Sequence, residues 1–347
     1  MTAGSVFQPS QDKPFMITRR SFTTSLLAGA AAMAASSAAS AKPRSAGAAG
    51  ANTRSSLAGN PAFPTRYRTV DIEGTSVFYR EAGAPGAPVV LLLPGWPSSS
   101  AMFRDLIREL SANYHVFAPD YPGFGNSDVP DRSHGVYTFD ALGETIGKFV
   151  DKVGIEEYAL YATDFGGLVG YRVMLKTPGR MKALIAQNNP LFLGASPWFG
   201  PLLPYWKDGT AESREQVRQH YLTLDVVRDL YTTGVSDTSL IDPGLWQVDH
   251  AWLQRPGAAD ISLDLLYDIR TNGPALKNAQ DYLRAHQPPT LVVSGRNDIL
   301  FPADSQLRYR EVVPKAEIHL TDSGHCALAD KSEEIALRMQ GFLSRVL

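Results

Sequence analysis

The chain predicts an α/β fold: a mostly parallel central sheet flanked by helices, with an all-helical segment inserted late. Three observations carry this. From Tyr67 to Gln187, short apolar runs alternate with stretches of helical spacing. Between Asn188 and about Gln287, strand-like runs vanish and aromatics at helical spacing dominate. From Pro288 the alternation resumes. Unbroken apolar strands are buried on both faces, as helices on either side of a parallel sheet require. Right-handed βαβ units then line up the strands' carboxyl ends, where ligands bind in such sheets.

Taken in order, Arg68–Ile72 and Ser76–Arg80 read as two leading strands joined by a Glu73-Gly74 turn. Pro88–Leu93 is a buried strand ending in Pro94-Gly95-Trp96-Pro97, and Ser98–Ser100 open an amphipathic helix through about Leu110. Tyr114–Ala118 is the next strand, running into the turn-rich loop Asp120–Asp128. A helix over Phe139–Val153 and a strand from Tyr158 precede Asp164, and a helix after Gly166 leads to a buried strand at Ala183–Gln187. In the inserted segment, Tyr205-Trp206, Arg214–Leu224, Val227–Tyr231, Trp246–Leu253, Ile261–Thr271 and Ala275–His286 have helical character. Pro288–Ser294 and Glu317–Leu320 are the last strands, with a helix at Ser305–Val313 between them and another from about Ser332. The expected division is a core over 65–187 and 287–347, with a helical lid over 188–286.

Composition narrows the function. With 347 residues, 44% hydrophobic, the chain can bury one large core or two ordinary ones. A net charge of −2 supplies no field for nucleic acid or an anionic membrane. Cys326 is the single cysteine, so an internal disulfide and a cysteine metal cluster are excluded. The seven histidines show no metal-ligand spacing, and the reading calls for no metal and no other cofactor. Residues 1–41 read as a twin-arginine export signal: Arg19-Arg20 in Thr18–Phe22, an Ala-rich run too weakly apolar to span a membrane, and Ala39-Ser40-Ala41 before Lys42. Met16 is an alternative start. Residues 42–64, rich in Ala, Gly, Ser and Pro, read as a flexible linker. The expectation is a bacterial protein carried by the twin-arginine machinery to the periplasm or beyond.

The chemistry centres on Tyr158–Gly170. An apolar run stops at Asp164, with Ala162 two residues before, Gly166 two after, and an apolar helical run beyond. That is the outline of a nucleophile elbow, G-x-S-x-G in its common form, with aspartate in the serine position. Asp298 and His325 also lie just past strand ends, so the order Asp164, Asp298, His325 is nucleophile, acid, base. Asn188-Asn189 offers no carboxylate at the alternative position, which favours Asp298 as the acid.

From about Tyr67 to Leu347 the chain resembles the α/β-hydrolase family, nearest the epoxide hydrolase and haloalkane dehalogenase branch. Gly95-Trp96-Pro97, Asp120–Ser127, Asp164–Gly167, the helical lid, Gly295–Asp298 and Gly324-His325 carry the resemblance. Pro94 replaces the usual histidine, Ala162 a glycine, and Phe165 a tryptophan common in both subfamilies. A carboxylate nucleophile independently points away from carbonyl substrates, where it would form an anhydride. It points toward an electrophilic saturated carbon, where it forms an alkyl ester. His325 would then activate water, Asp298 would orient His325, and the backbone N–H groups of Trp96 and Phe165 would hold the oxyanion.

The resemblance divides the branch by leaving group. Epoxide hydrolases use lid tyrosines; dehalogenases use N–H donors, commonly a Trp directly after the nucleophile. Phe165 lacks that N–H. Of the lid tyrosines Tyr205, Tyr221, Tyr231 and Tyr267, the last two sit in apolar helical stretches where a hydroxyl needs a partner. Tyr231 and Tyr267 are therefore expected to be catalytic, with Trp198 and Tyr205 lining the pocket. The expected activity is epoxide hydrolysis of a small apolar organic substrate. Trp198 or Trp206 could still donate to a halide, which keeps dehalogenation as the alternative; a hydrolase-fold binding protein with an idle triad is a third. Cys326 reads as a small buried residue, and Arg270 and Asn272 as a surface ion pair or cap.

Overall fold

The apolar runs become eight strands of one sheet, in the order β1-β2-β4-β3-β5-β6-β7-β8. The computed structural model describes residues 63–347 except 133–136 and 195. The expected export signal, and all but the last two residues of the expected linker, lie outside the described residues. β1 (Arg66–Ile72) and β2 (Thr75–Ala82) form an antiparallel hairpin, and β2 pairs antiparallel with β4 (His115–Pro119). The remaining pairings are parallel and join β3 (Val89–Leu93), β5 (Tyr158–Thr163), β6 (Met181–Gln187), β7 (Thr290–Gly295) and β8 (Glu317–Thr321).

Alternation along these strands builds two cores, one on each face. Leu91, Leu93, Leu160, Ala162, Leu184, Ala186 and Val292 meet one set of helices: α2 (Phe139–Lys152), α3 (Phe165–Lys176) and α9 (Gly273–His286). Val90, Leu92, Tyr161, Ile185, Leu291 and Val293 meet α1 (Arg104–Leu110) and α11 (Leu328–Val346) on the other face. The expected helix after Ser98 begins with a single 3-10 turn, Ser100–Phe103, capped by the Ser99 hydroxyl. The helix expected over 305–313 is a short α10 (Ala303–Leu307) continued by a 3-10 turn.

Between β6 and β7 the described chain contains no strand. Helices α4 (Leu203–Asp208), α5 (Ala211–Tyr221), α6 (Leu224–Thr232), α7 (Gly244–Leu253) and α8 (Ala258–Asp268) occupy it. One boundary differs from expectation. Helix α9, assigned with the insertion from its sequence, packs on α3 through Leu276, Ala279 and Leu283 and belongs to the core layer. The inserted segment is tied to the core by directional contacts. Arg132 donates twice to the buried Asp264, at 2.8 and 2.7 Å. Arg255 donates to the Ser127 carbonyl at 2.8 Å, and Asp268 accepts from the first N–H of α2 at 2.8 Å.

The strand order decides where a site can form. After β3 the chain places β4 on one side of it and β5 on the other, so a crevice opens at the carboxyl ends of β3 and β5. The Pro94–Pro97 loop and Asp164 are the two segments that leave those ends. Close packing there needs Gly166, because a Cβ at that position would collide with the Leu93 carbonyl. Replacing Gly166 with Ala is expected to cost about 3 kcal/mol through overpacking against backbone. Urea denaturation of the purified variant checks this; an unchanged midpoint would show that the elbow has room to relax.

Candidate active site

Strand β5 is buried along its whole length and stops at Asp164, whose backbone lies at φ 47° and ψ −120°. A non-glycine residue there is strained and persists only where its surroundings hold it. They do: Asp164 N–H donates to the Asn188 carbonyl at 3.1 Å, and Gly167 N–H donates to the Asp164 carbonyl at 2.8 Å. Gly95 leaves space for the side chain, since a Cβ there would lie 2.7 Å from the Asp164 Cβ. The carboxylate is thus lifted into the crevice at the start of α3.

One carboxylate oxygen is held by backbone. Trp96 N–H donates to Asp164 Oδ1 at 2.7 Å, and Phe165 N–H also hydrogen-bonds the carboxylate. The other oxygen, Oδ2, faces His325 Nε2 at 3.8 Å. On its far side His325 Nδ1 is 3.0 Å from Asp298 Oδ2. That contact puts the ring proton on Nδ1 and leaves the Nε2 lone pair toward Asp164. Asp298 is oriented in turn: its Oδ1 accepts from Leu300 N–H and its Oδ2 from Asn188 Nδ2, both at 2.7 Å. Sequence reasoning noted Asn188 only for lacking a carboxylate. Its amide nevertheless reaches the acid, from a backbone at φ 43° that asparagine tolerates better than most residues. An Asn directly after a buried strand was the available signal.

Burial sets the electrostatics. Loss of solvent pushes the Asp164 carboxyl above its ordinary value, opposed by His325 and by the two backbone N–H groups. For His325 burial acts downward, but the carboxylates of Asp298 and Asp164 outweigh it, and the imidazole is raised above 6.5. Above Asp164 lies a small cavity walled by Trp96, Phe165, Trp198, Phe199, Ile269 and Phe301 among others. Trp198 lies edge-on to Trp96, with ring centroids 6.2 Å apart. The buried Trp96 Nε1 has no hydrogen-bond partner among the described residues. No group of three His, Cys, Asp or Glu among the described residues is placed to hold a metal.

The structure brings Asp164, Asp298, His325, Trp96, Phe165 and Trp198 together, and leaves the expected tyrosines aside. Tyr231 donates its hydroxyl to Asp249 at 2.5 Å and lines clefts other than the Asp164 cavity. Tyr267 packs at a tilt against Tyr205, with ring centroids 4.5 Å apart, and lies under the Arg270 guanidinium at 3.6 Å. The Tyr205 hydroxyl accepts from Arg214 at 2.8 Å, and Tyr221 donates to the Trp198 carbonyl. Each apolar helical stretch did supply its tyrosine with a partner, but the partner is structural. Arg270 and Asn272 likewise face their own helix turn: Arg270 donates to the Tyr267 carbonyl and Asn272 to the Asp268 and Ile269 carbonyls.

A strained elbow at a strand end, two backbone donors and a His–Asp pair define a class of hydrolytic enzymes. The chain belongs to the α/β-hydrolase fold family, whose model matches residues 88–332. It is 36% identical to an uncharacterised hydrolase of Saccharomyces cerevisiae over 269 residues, covering 76% of this chain and 92% of the relative. It is 25% identical over 297 residues to the cis-3-alkyl-4-alkyloxetan-2-one decarboxylase of Shewanella oneidensis, covering 81% and 89%. Among solved structures, a putative ancestral haloalkane dehalogenase superposes with a TM-score of 0.68 at 22% identity, covering 80% of this chain and 99% of that one. The epoxide hydrolase CorEH superposes with a TM-score of 0.66 at 18% identity, covering 82% and 100%. The neighbours therefore lie in the dehalogenase and epoxide hydrolase branch.

The charges around His325 make a testable prediction. Replacing Asp164 with Asn removes one of the two carboxylates that raise the imidazole, while burial still lowers it. The His325 pKa should fall in the variant, which NMR titration of the ring protons reads directly. A rise would mean that Asp164 does not act on His325 as a charge.

Proposed function

We propose that the protein hydrolyses substrates with an electrophilic saturated carbon, through an alkyl ester on Asp164. The observation that carries this reading is the division of labour on one carboxylate, with Oδ1 accepting from Trp96 N–H at 2.7 Å and Oδ2 facing His325 Nε2 across 3.8 Å. In the first step Oδ2 attacks carbon, the new C–O bond forms, and the leaving group departs with the old bonding pair. In the second step water gives a proton to His325 Nε2 and its oxygen attacks Asp164 Cγ. The tetrahedral intermediate carries its charge on Oδ1, between the N–H groups of Trp96 and Phe165. Collapse breaks the Cγ–Oδ2 bond, and the departing alkoxide takes the proton back from His325. Asp298 holds the imidazole and stabilises its cation.

The walls of the cavity favour a leaving group that is stable as an anion. Trp96, which lines the cavity with Asp164, has an indole N–H without a partner among the described residues, and Trp198 adds a second indole to the same wall. No tyrosine lines that cavity among the described residues. A halide needs N–H donors, whereas an epoxide oxygen leaves as an alkoxide and needs an acid. Haloalkanes are therefore the leading substrate class. The relative from Shewanella oneidensis suggests a cognate case, since a four-membered lactone also offers a saturated ring carbon whose oxygen leaves as a stable carboxylate. Epoxide hydrolysis is the second reading. It is favoured by Phe165, which withholds the indole that dehalogenases of the branch commonly place directly after the nucleophile.

Trapping decides among these. His325→Gln, incubated separately with a 1-bromoalkane and a terminal epoxide, should retain the alkyl group as a mass increment that disappears when Asp164→Asn is added. An increment with bromoalkane alone supports the leading reading, and one with epoxide alone reverses the ranking. No increment with either would overturn the alkyl-ester mechanism and leave a binding protein on a hydrolase fold.

The sequence motif around Arg19-Arg20 supports export by the twin-arginine route. Lys at both positions should hold the protein in the cytoplasm, as cell fractionation would read; unchanged export would remove this part of the proposal.

A further inference from the structure

The loop that carries Trp96 rests on a buried polar cluster that the proposed chemistry does not use. Ser98 lies two residues beyond Trp96, Tyr231 is on α6 and Asp249 is on α7; they are 5%, 4% and 2% exposed. The Tyr231 hydroxyl donates to Asp249 Oδ2 at 2.5 Å, and Ser98 lines the same cleft as both. Cys326, next to His325, lines a second cleft together with Tyr231. The cluster therefore joins two pieces of chain, the inserted helices and the loop after β3.

Such a cluster is directional in a way that an apolar contact is not. A buried carboxyl and two hydroxyls are satisfied in one mutual arrangement and costly in any other. Burial pushes the Asp249 carboxyl up to about 7, with the nearby Asp120 carboxylate acting in the same direction. The same loop is fixed from the core side, where the Tyr121 hydroxyl donates to the Pro94 carbonyl at 3.0 Å. Within the loop Ser98 N–H donates to the Gly95 carbonyl at 3.0 Å. Trp96 N–H, 2.7 Å from Asp164 Oδ1, stands between the two anchors.

We propose that Tyr231, Asp249 and Ser98 form a latch between the inserted helices and the loop after β3. Tyr231 and Asp249 are then positioning residues for the Trp96 N–H and do not donate to the leaving group. The inference rests on the alkyl-ester reading, because the two half-reactions use that N–H differently. When Oδ2 forms its bond to carbon, the carboxylate loses negative charge and the Trp96 N–H loses part of what it binds. When water attacks Cγ, charge returns to Oδ1 and the same N–H gains. Releasing the latch should therefore slow breakdown of the ester and leave its formation little changed. A phenol that protonated a leaving group would act on the opposite step.

Rapid-quench mass measurement with 1-bromohexane and 1,2-epoxyhexane separates the two rates in Tyr231→Phe, Asp249→Leu, Asp249→Asn and Ser98→Ala. In Tyr231→Phe and Asp249→Leu the ester should accumulate, with breakdown slowed by about tenfold and formation within roughly threefold of the parent. Asp249→Asn keeps an acceptor for Tyr231 and should recover most of the breakdown rate. Slower formation with unchanged breakdown would make Tyr231 a leaving-group donor and overturn the latch. So would equal losses in both steps, or no change in either, in variants whose thermal unfolding shows them folded. Absence of an ester even in His325→Gln would overturn the alkyl-ester reading itself, and the latch's part in catalysis with it.

Discussion

The structure depends on a strained backbone at Asp164. A strand buried along its length must end in a sharp turn there, with a non-glycine residue at positive φ. The turn is held by the Asn188 carbonyl, by the approach of Gly166 to the Leu93 carbonyl and by the space that Gly95 leaves. Those constraints come from β3, β5 and β6 at once. The reward is a carboxylate raised out of a parallel sheet at the one crevice its strand order creates, next to the N terminus of α3.

Holding an anion in an apolar crevice needs compensation, and the compensation is also the machinery. Trp96 N–H holds one oxygen, and Phe165 N–H also bonds the carboxylate. His325 stands off the other, far enough to leave room for a reacting atom. Asp298 and Asn188 keep the imidazole in the tautomer that faces Asp164. Around this polar centre the walls are aromatic, so charge that develops during reaction is met by few, fixed dipoles rather than by solvent. The inserted helices supply part of that wall and tie themselves to the core through Arg132, Arg255 and Asp268.

Much of this was legible in the sequence because it is local or periodic. The central strands were apolar runs bounded by Gly, Pro or polar residues, and the elbow announced itself by small residues on both sides of Asp164. Asp298 and His325 could be ranked because each directly follows a strand. The lid tyrosines were a different kind of inference. An apolar helical stretch shows that a hydroxyl needs a partner, but not whether the partner is a substrate or Asp249. Helix α9 was placed with the insertion for a similar reason: its apolar stripe records that it packs on something, not that the something is α3.

Residue type and order alone established an α/β sheet, an aspartate at its elbow and the chemical preference of a carboxylate for saturated carbon. These follow from bonding and from spacing along one segment. Tertiary structure decided which groups converge: Asn188 on Asp298, Trp96 and Trp198 in the cavity with Asp164, Tyr231 on Asp249. Those contacts join segments tens to more than a hundred residues apart, and hydrogen-bond geometry at 2.5–3 Å is fixed only when the whole sheet and the inserted helices have packed.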